Sequence, residues 1–293
     1  MTGRPTILLT GADGQLGVEL ARLLRGQGDV VAARRATLDL ADPDAIVAAV
    51  RGAKPALIVN AAAYTAVDLA EKEPALARAV NARAPGILAE EAKRIGAVLI
   101  HYSTDYVFDG ARTTPYPEEA PANPLNVYGA SKLDGERAIA ATGARAVTFR
   151  TSWVYGLSGK NFLLTIRRLA GERDELRIVA DQIGVPNWSR TLAEATARVV
   201  AAGMPALAER AGLYHLSSTG QASWYEFARA IVGEVARPRV IPIPTSEYPT
   251  PARRPAYGVL ATGRFQEVFG FALPDWRDAL QRCVAEPPAP PGA

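Results

Sequence analysis

The 293-residue chain has a single cysteine, Cys283, and only two histidines, His101 and His215. One thiol cannot close an internal disulfide, which fits a reducing compartment. These residues are also too few for a Cys/His metal cluster. Long apolar runs are missing, since none reaches the roughly 18 residues that span a bilayer. The run Ile7-Leu8-Leu9-Thr10 behind the N-terminus is too brief for a secretory leader. Neither sign of charge dominates: 33 Lys and Arg stand against 30 Asp and Glu, a net charge of +3. Without a basic patch, nucleic acid is not an expected partner. Internal repeats at periods of about 20–50 residues are absent too. What remains is 48% apolar and 22% charged, the balance of a folded, cytoplasmic protein.

Apolar runs alternate with helical periodicity through the first half. Strands are expected at Thr6–Thr10, Val30–Ala33, Leu57–Asn60, Val98–Tyr102 and Ala146–Arg150. Helices are expected at Leu16–Arg25, Pro43–Arg51, Ala75–Ile95 and Val127–Thr142. This rhythm predicts an α/β, Rossmann-like doubly wound parallel sheet with helices on both faces. After Trp153 the rhythm breaks. Helices near Asn161–Leu169, Thr191–Ala202 and Trp276–Val284 and strands near Leu176–Val179 and Leu213–Leu216 suggest a smaller α/β C-terminal substrate domain over 156–293. Residues 1–155 form the expected nucleotide-binding domain, with roughly 190–217 returning to it. Ser223-Trp-Tyr-Glu226 has the form of a capping box. The Pro238–Pro255 stretch reads as a connection, and a frayed proline-rich tail is expected from about 286.

Directly behind the first strand stands Gly11-Ala-Asp-Gly14-Gln15-Leu16-Gly17. Glycines there let the backbone turn and approach a pyrophosphate, and the following helix offers free N–H groups. The strand–loop–helix context makes this a dinucleotide site rather than a packing turn. At the end of the second strand, where NAD readers carry an acid, stand Arg34 and Arg35. A guanidinium suits a 2′-phosphate, so NADPH is expected, with NADH the alternative. Asp39 and Leu40 are candidates for adenine contact or for capping the helix near Pro43.

Tyr128-Gly-Ala-Ser-Lys132 places a phenol and an amine on one helix face. An ammonium beside a phenol lowers its pKa toward useful acid–base chemistry. The strand end Ser103-Thr104-Asp105 would project from the carboxyl edge of the sheet, where ligands bind in such folds. The Thr104 hydroxyl could donate to a developing alkoxide. His101 and His215, in apolar strand patterns, suggest no hydrolase triad, because neighbours along a strand face opposite ways. Cys283 and Trp188, Trp224 and Trp276 read as packing residues.

Thr104, Tyr128 and Lys132 together resemble the triad of extended short-chain dehydrogenases/reductases. Further segments recur in order along nearly the whole chain: Asn60-Ala-Ala-Ala63-Tyr-Thr65-Ala-Val-Asp68, His101-Tyr-Ser-Thr-Asp-Tyr-Val-Phe108, Pro124-Leu-Asn-Val-Tyr-Gly129, Arg150-Thr-Ser-Trp-Val-Tyr155, Asp181-Gln-Ile-Gly-Val-Pro186 and Arg254-Pro255. With these the sequence resembles the dTDP-4-dehydrorhamnose reductase family. The resemblance implies NAD(P)H-dependent reduction of the C4 ketone of dTDP-4-dehydro-6-deoxy-L-mannose to dTDP-L-rhamnose, the last step of that synthesis, serving polysaccharide formation. It implies that Tyr128 protonates the C4 oxygen, that Lys132 holds the nicotinamide ribose and lowers the Tyr128 pKa, and that Thr104 bonds the same oxygen. It further places Gly14, Gln15 and Leu16 at the pyrophosphate. Ala63, Tyr64, Thr65 and Tyr102 would line the cofactor cleft. Asp105 and Trp153 would meet the sugar, with Asn161 and Arg254 at the sugar or diphosphate.

Some members of the family form dimers bridged by Mg²⁺ through glutamates. Glu19 matches one such position, but Arg190 stands where another glutamate would be, and an arginine repels a hard cation. No metal is therefore expected, and the chain is read as a monomer or homodimer. Dehydratases of the same superfamily carry Thr-Asp-Glu where this chain has Thr104-Asp105-Tyr106, which disfavours loss of water. The alternatives are a ketoreductase for another nucleotide deoxysugar and a non-catalytic subunit like the β-subunit of methionine adenosyltransferase.

Overall fold

A computed structural model describes residues 3–233 and 238–286. The expected sheet is present. Strands β1 (Thr6–Thr10), β2 (Asp29–Ala33), β3 (Leu57–Asn60), β4 (Val98–Thr104) and β5 (Ala146–Thr151) are joined by the strand Gly212–His215. The order is β2-β1-β3-β4-β5-(Gly212–His215), and every pairing is parallel. The order reverses between β1 and β3, and in open parallel sheets ligands bind at the carboxyl ends of the strands at such a switch point.

Alternation divides the strand side chains between two cores. Ile7, Leu9, Leu57, Val59, Val98, Ile100 and Tyr102 pack beneath helix α1 (Gln15–Leu23) and the helix Ser189–Val200. Leu8, Ile58 and Leu99 face the opposite layer, with helix α2 (Pro43–Ala53) and the helix Ala84–Ile95. Burial of this kind contributes roughly 1.5–3 kcal/mol per large aliphatic side chain. The strand Gly212–His215 pairs with β5, and the helix Ser189–Val200 packs against α1.

Three expectations need correction. The helix expected over Ala75–Ile95 is not continuous: a π-helical turn, Ala79–Arg83, separates Pro74–Arg78 from Ala84–Ile95. Pro85, with no amide proton to donate, sits where the last segment starts. The helix near Pro43 is capped by Asp42, whose carboxylate accepts from Asp44 N and Ala45 N, and not by Asp39. The Pro-rich connection contains a strand, Arg239–Ile243, paired in parallel with Glu175–Val179. Pro242 is tolerated there because the pair has only two strands and both are edges. The capping box at Ser223 and Glu226 is formed with both of its hydrogen bonds. The tail expected beyond Glu286 lies outside the described residues.

The helix Val127–Thr142 carries both Tyr128 and Lys132. Its N-cap is Asn126, which accepts from Gly129 N at 2.7 Å, and it ends on Gly143 in the left-handed conformation. A buried ion pair locks it to β5. Glu136 accepts from Arg150 Nε at 2.9 Å and Nη2 at 2.6 Å, and Arg150 is 4% exposed. Removing one partner of such a pair strands the other charge in the interior. Glu136→Gln should therefore lower the unfolding free energy by ~3 kcal/mol, read by urea denaturation. A loss below about 1 kcal/mol would mean that the pair does not anchor the helix.

Candidate active site

The phosphate loop is built by steric exclusion. Gly11 has φ +68°, and a Cβ there would lie 2.7 Å from Ala62 Cα, where the loops after β1 and β3 touch. A Cβ on Gly17 would lie 1.9 Å from Gly11 O, so only glycine lets α1 start this close to the turn. Gly14 is the N-cap of α1 and supplies no side-chain cap. The first N–H groups of the helix therefore keep their hydrogen-bonding capacity for an anion. Gln15 Oε1 is buried there without a hydrogen-bond partner among the described residues.

Around this loop the expected cofactor residues fall into two groups. Arg34 is exposed just past β2, and its backbone is braced by Thr37 at 3.0 Å. Tyr64 is fixed by a residue not anticipated, Asn81 of the π-helical turn. Asn81 Oδ1 accepts from Tyr64 N at 2.8 Å, and its Nδ2 donates to Tyr64 O and to Ser131 Oγ, both at 3.0 Å. The Tyr64 hydroxyl donates to Glu73 at 2.7 Å. Ala63, Tyr64 and Thr65 thus form a loop held beside the helix Val127–Thr142.

By contrast, Tyr102 points its ring into the core beside Phe149 and bonds Thr196 through its hydroxyl at 2.7 Å. It does not line a cleft with its side chain; its carbonyl is the group that reaches the site. Leu40 is packed in the core, and the Asp39 carboxylate accepts from Ala41 N at 2.9 Å.

Lys132 is 2% exposed, and its Nζ donates to Tyr102 O at 2.6 Å. Burial brings its pKa down to about 8, offset in part by Glu136. Tyr128 lies one turn earlier, edge-on to Tyr106 with ring centroids 5.7 Å apart. Burial pushes its phenol up to about 12, the Thr104 hydrogen bond pulls it down, and the Asp105 charge raises it. The phenol is a neutral acid across the physiological range.

Thr104 caps the short 3₁₀ turn Asp105–Val107, accepting from Tyr106 N at 3.1 Å. Its hydroxyl donates to Asp105 Oδ1 at 3.0 Å. Asp105 is 2% exposed, and its Oδ2 has no partner among the described residues. Gly258 is pressed against that oxygen: a Cβ there would lie 2.6 Å from Oδ2. Burial pushes the Asp105 carboxyl up to about 7.

A cleft of about 590 Å³ adjoins this group, lined in part by Tyr106, Phe162, Trp224, Tyr248 and Arg254. Trp153 stacks on Trp224 with centroids 3.5 Å apart. Its φ of +43° is strained for a non-glycine residue, and Gly184 leaves room for the ring. Arg254 forms a two-bonded pair with Asp68 at 2.6 and 2.8 Å, which keeps the Asp68 carboxyl below its usual range. Asn161 is the N-cap of the helix Phe162–Glu172, and both its amide atoms are engaged by Leu164 N, Gly156 O and Ser158 O.

A divalent cation does not fit at Glu19. Arg190 fills the place with its guanidinium, bonded to Glu19 at 2.9 and 3.2 Å and to Glu286 on another side. Among the described residues no cluster of three or more His, Cys, Asp or Glu could hold a metal. No helix among them is long and apolar enough to cross a membrane.

The Asp105 shift has a signed consequence. A carboxyl whose folded pKa of about 7 exceeds its unfolded ~3.9 binds more protons when folded. Its contribution to stability is full below about pH 4 and is lost as the pH rises through about 7. Asp105→Asn should flatten that fall in urea-derived stability over the same interval. A slope unchanged from the parent would show that the carboxyl is solvated.

The family described as RmlD substrate binding domain matches residues 5–287. A dTDP-4-dehydrorhamnose reductase of Burkholderia thailandensis is 51% identical, covering 96% of this chain and 98% of that protein. One of Escherichia coli is 44% identical over 96% of this chain and 97% of its own. A crystal structure of dTDP-4-dehydrorhamnose reductase from Bacillus anthracis in complex with NADP superposes with a TM-score of 0.91 at 36% identity, covering 97% of this chain and 100% of that one. The sheet, the glycine loop and the Thr104, Tyr128 and Lys132 group therefore have a family context: the chain belongs to the dTDP-4-dehydrorhamnose reductases.

Proposed function

We propose that this protein reduces the C4 ketone of dTDP-4-dehydro-6-deoxy-L-mannose to give dTDP-L-rhamnose, with NADPH as reductant. The observation that carries this reading is the placement of Tyr128, a half-buried phenol beside Thr104 at the carboxyl edge of the sheet, one helical turn from Lys132. The residues present fit the cofactor: Gly14 leaves the start of α1 without a side-chain cap, and Arg34 stands exposed past β2. When bound, NADPH supplies the hydride that reaches C4.

The protein's own groups manage the proton and the charge. Tyr128 gives its phenolic proton to the C4 oxygen, completing the alcohol, and solvent returns a proton to the phenolate. Thr104 turns its hydroxyl proton from Asp105 to donate to the same oxygen. Lys132 holds the ribose and, as a cation, favours the phenolate that follows transfer. Trp153 and Asp105 meet the sugar, and Arg254, oriented by Asp68, faces the diphosphate. The reading divides the chain into a cofactor unit, residues 1–155 with about 190–217, and a smaller substrate unit over the remainder.

Three measurements test it. The purified protein should oxidise NADPH only when given the dTDP-4-ketosugar, with the product's C4 configuration read by NMR. Binding of NADPH without turnover of any nucleotide 4-ketosugar would point to a non-catalytic subunit instead. Tyr128→Phe should lower kcat by about 10²–10⁴ while the NADPH KM stays near that of the parent. Retention of most activity would remove Tyr128 from the acid role. Arg34→Asp should shift the NADPH/NADH preference in kcat/KM toward NADH by about tenfold or more. An unchanged ratio would mean that the 2′-phosphate is read elsewhere.

A further inference from the structure

Beneath Lys132 the sheet carries a polar row in place of an apolar one. Leu8, Ile58 and Leu99 are register partners across β1, β3 and β4 and form an apolar row on one face. Two residues further along the same strands, on the same face, the partners are Thr10, Asn60 and His101. All three are buried, with exposures of 1%, 1% and 0%. Thr10 Oγ1 donates to Asn60 Oδ1 at 2.6 Å, Asn60 Nδ2 lies 3.0 Å from His101 Nδ1, and His101 Nε2 lies 3.4 Å from Lys132 Nζ. The row begins next to Gly11 of the phosphate loop and ends on the amine.

Such a row has two directions. If Asn60 donates to His101 Nδ1, a neutral imidazole carries its proton on Nε2, which faces the amine and favours the uncharged form. If the Asn60 amide turns over, Thr10 accepts, His101 Nδ1 donates, and Nε2 is free to accept from an ammonium. Burial and the neighbouring Lys132 charge hold His101 well below its ordinary pKa, so it stays neutral in either arrangement. The other ionisable groups that bear on Lys132 are few. Glu136 follows one turn later on its own helix and is neutralised by Arg150 of β5, and Tyr128 precedes it by one turn.

Resting on the role assigned above to Lys132, we propose that His101 is a positioning residue for that amine. With Asn60 and Thr10 it forms a hydrogen-bond row whose direction reverses with the charge on Lys132. The row thereby sets how firmly Lys132 keeps its third proton.

The test is the pH dependence of kcat/KM for the ketosugar at saturating NADPH, with thermal stability followed in parallel. His101→Phe deletes the acceptor and should move the basic limb to lower pH by about one unit. His101→Gln, which restores a side-chain amide, should recover much of that shift. Thr10→Val, remote from the amine, should move the limb in the same direction by less; it carries the test if His101→Phe does not fold. Wild-type limbs in His101→Phe and Thr10→Val, with only the melting temperature lowered, would reduce the row to a structural element and overturn the proposal. Lys132→Met separates the two levels of the argument. Full activity in that variant would instead sink the role of Lys132 itself.

Discussion

An amine cannot be taken out of water without partners that replace hydration, and the site is organised around one that has been. Lys132 is held by the Tyr102 carbonyl at 2.6 Å, with the imidazole of His101 further off. The carbonyl is in place because the Tyr102 ring is anchored on the other side of β4, by its bond to Thr196 and its contact with Phe149. The helix bearing Lys132 is in place because Glu136 grips Arg150 midway along it and Asn126 caps its start. Packing on both faces of the sheet thus converges on a single nitrogen.

The acid and the amine are each shifted toward their neutral form by burial. The phenol of Tyr128 is raised by burial, with Thr104 working against that rise. In a reduction this is the useful direction, because the group must arrive protonated and give its proton up only as charge develops on the ketone oxygen. Asp105 sits between these roles. Its buried carboxylate orders the Thr104 hydroxyl, and its raised pKa places its own charge change near neutrality.

The central strands were legible because a doubly covered strand must be apolar on both faces. Thr6–Thr10 and Leu57–Asn60 match the expected bounds. Short elements were not. Met204–Glu209 and Gly263–Phe269 each make fewer than two turns, too few for periodicity to register. The strand Arg239–Ile243 was hidden by its own proline. Within the site, motif residues identified the neighbourhood, but a motif does not say which way a side chain points. Tyr102 contributes its carbonyl, Asn161 caps a helix, and Leu40 is core. Asn81 carried no local signal, since its function comes from a π-helical turn that periodicity reads as ordinary helix. His101 had one: Thr10, Asn60 and His101 are polar residues at matching depths of neighbouring strands, visible only once the register is known.

The Trp153–Trp224 stack ties the segment after β5 to the helix Trp224–Val232, whose Trp224 lines the cleft. Two indoles lying face to face at 3.5 Å and 8° couple their electronic transitions. The molecule therefore carries its own near-ultraviolet gauge beside the cleft. Any guest that slides between the rings, or tilts one against the other, writes its arrival into the circular dichroism without a label or a substitution.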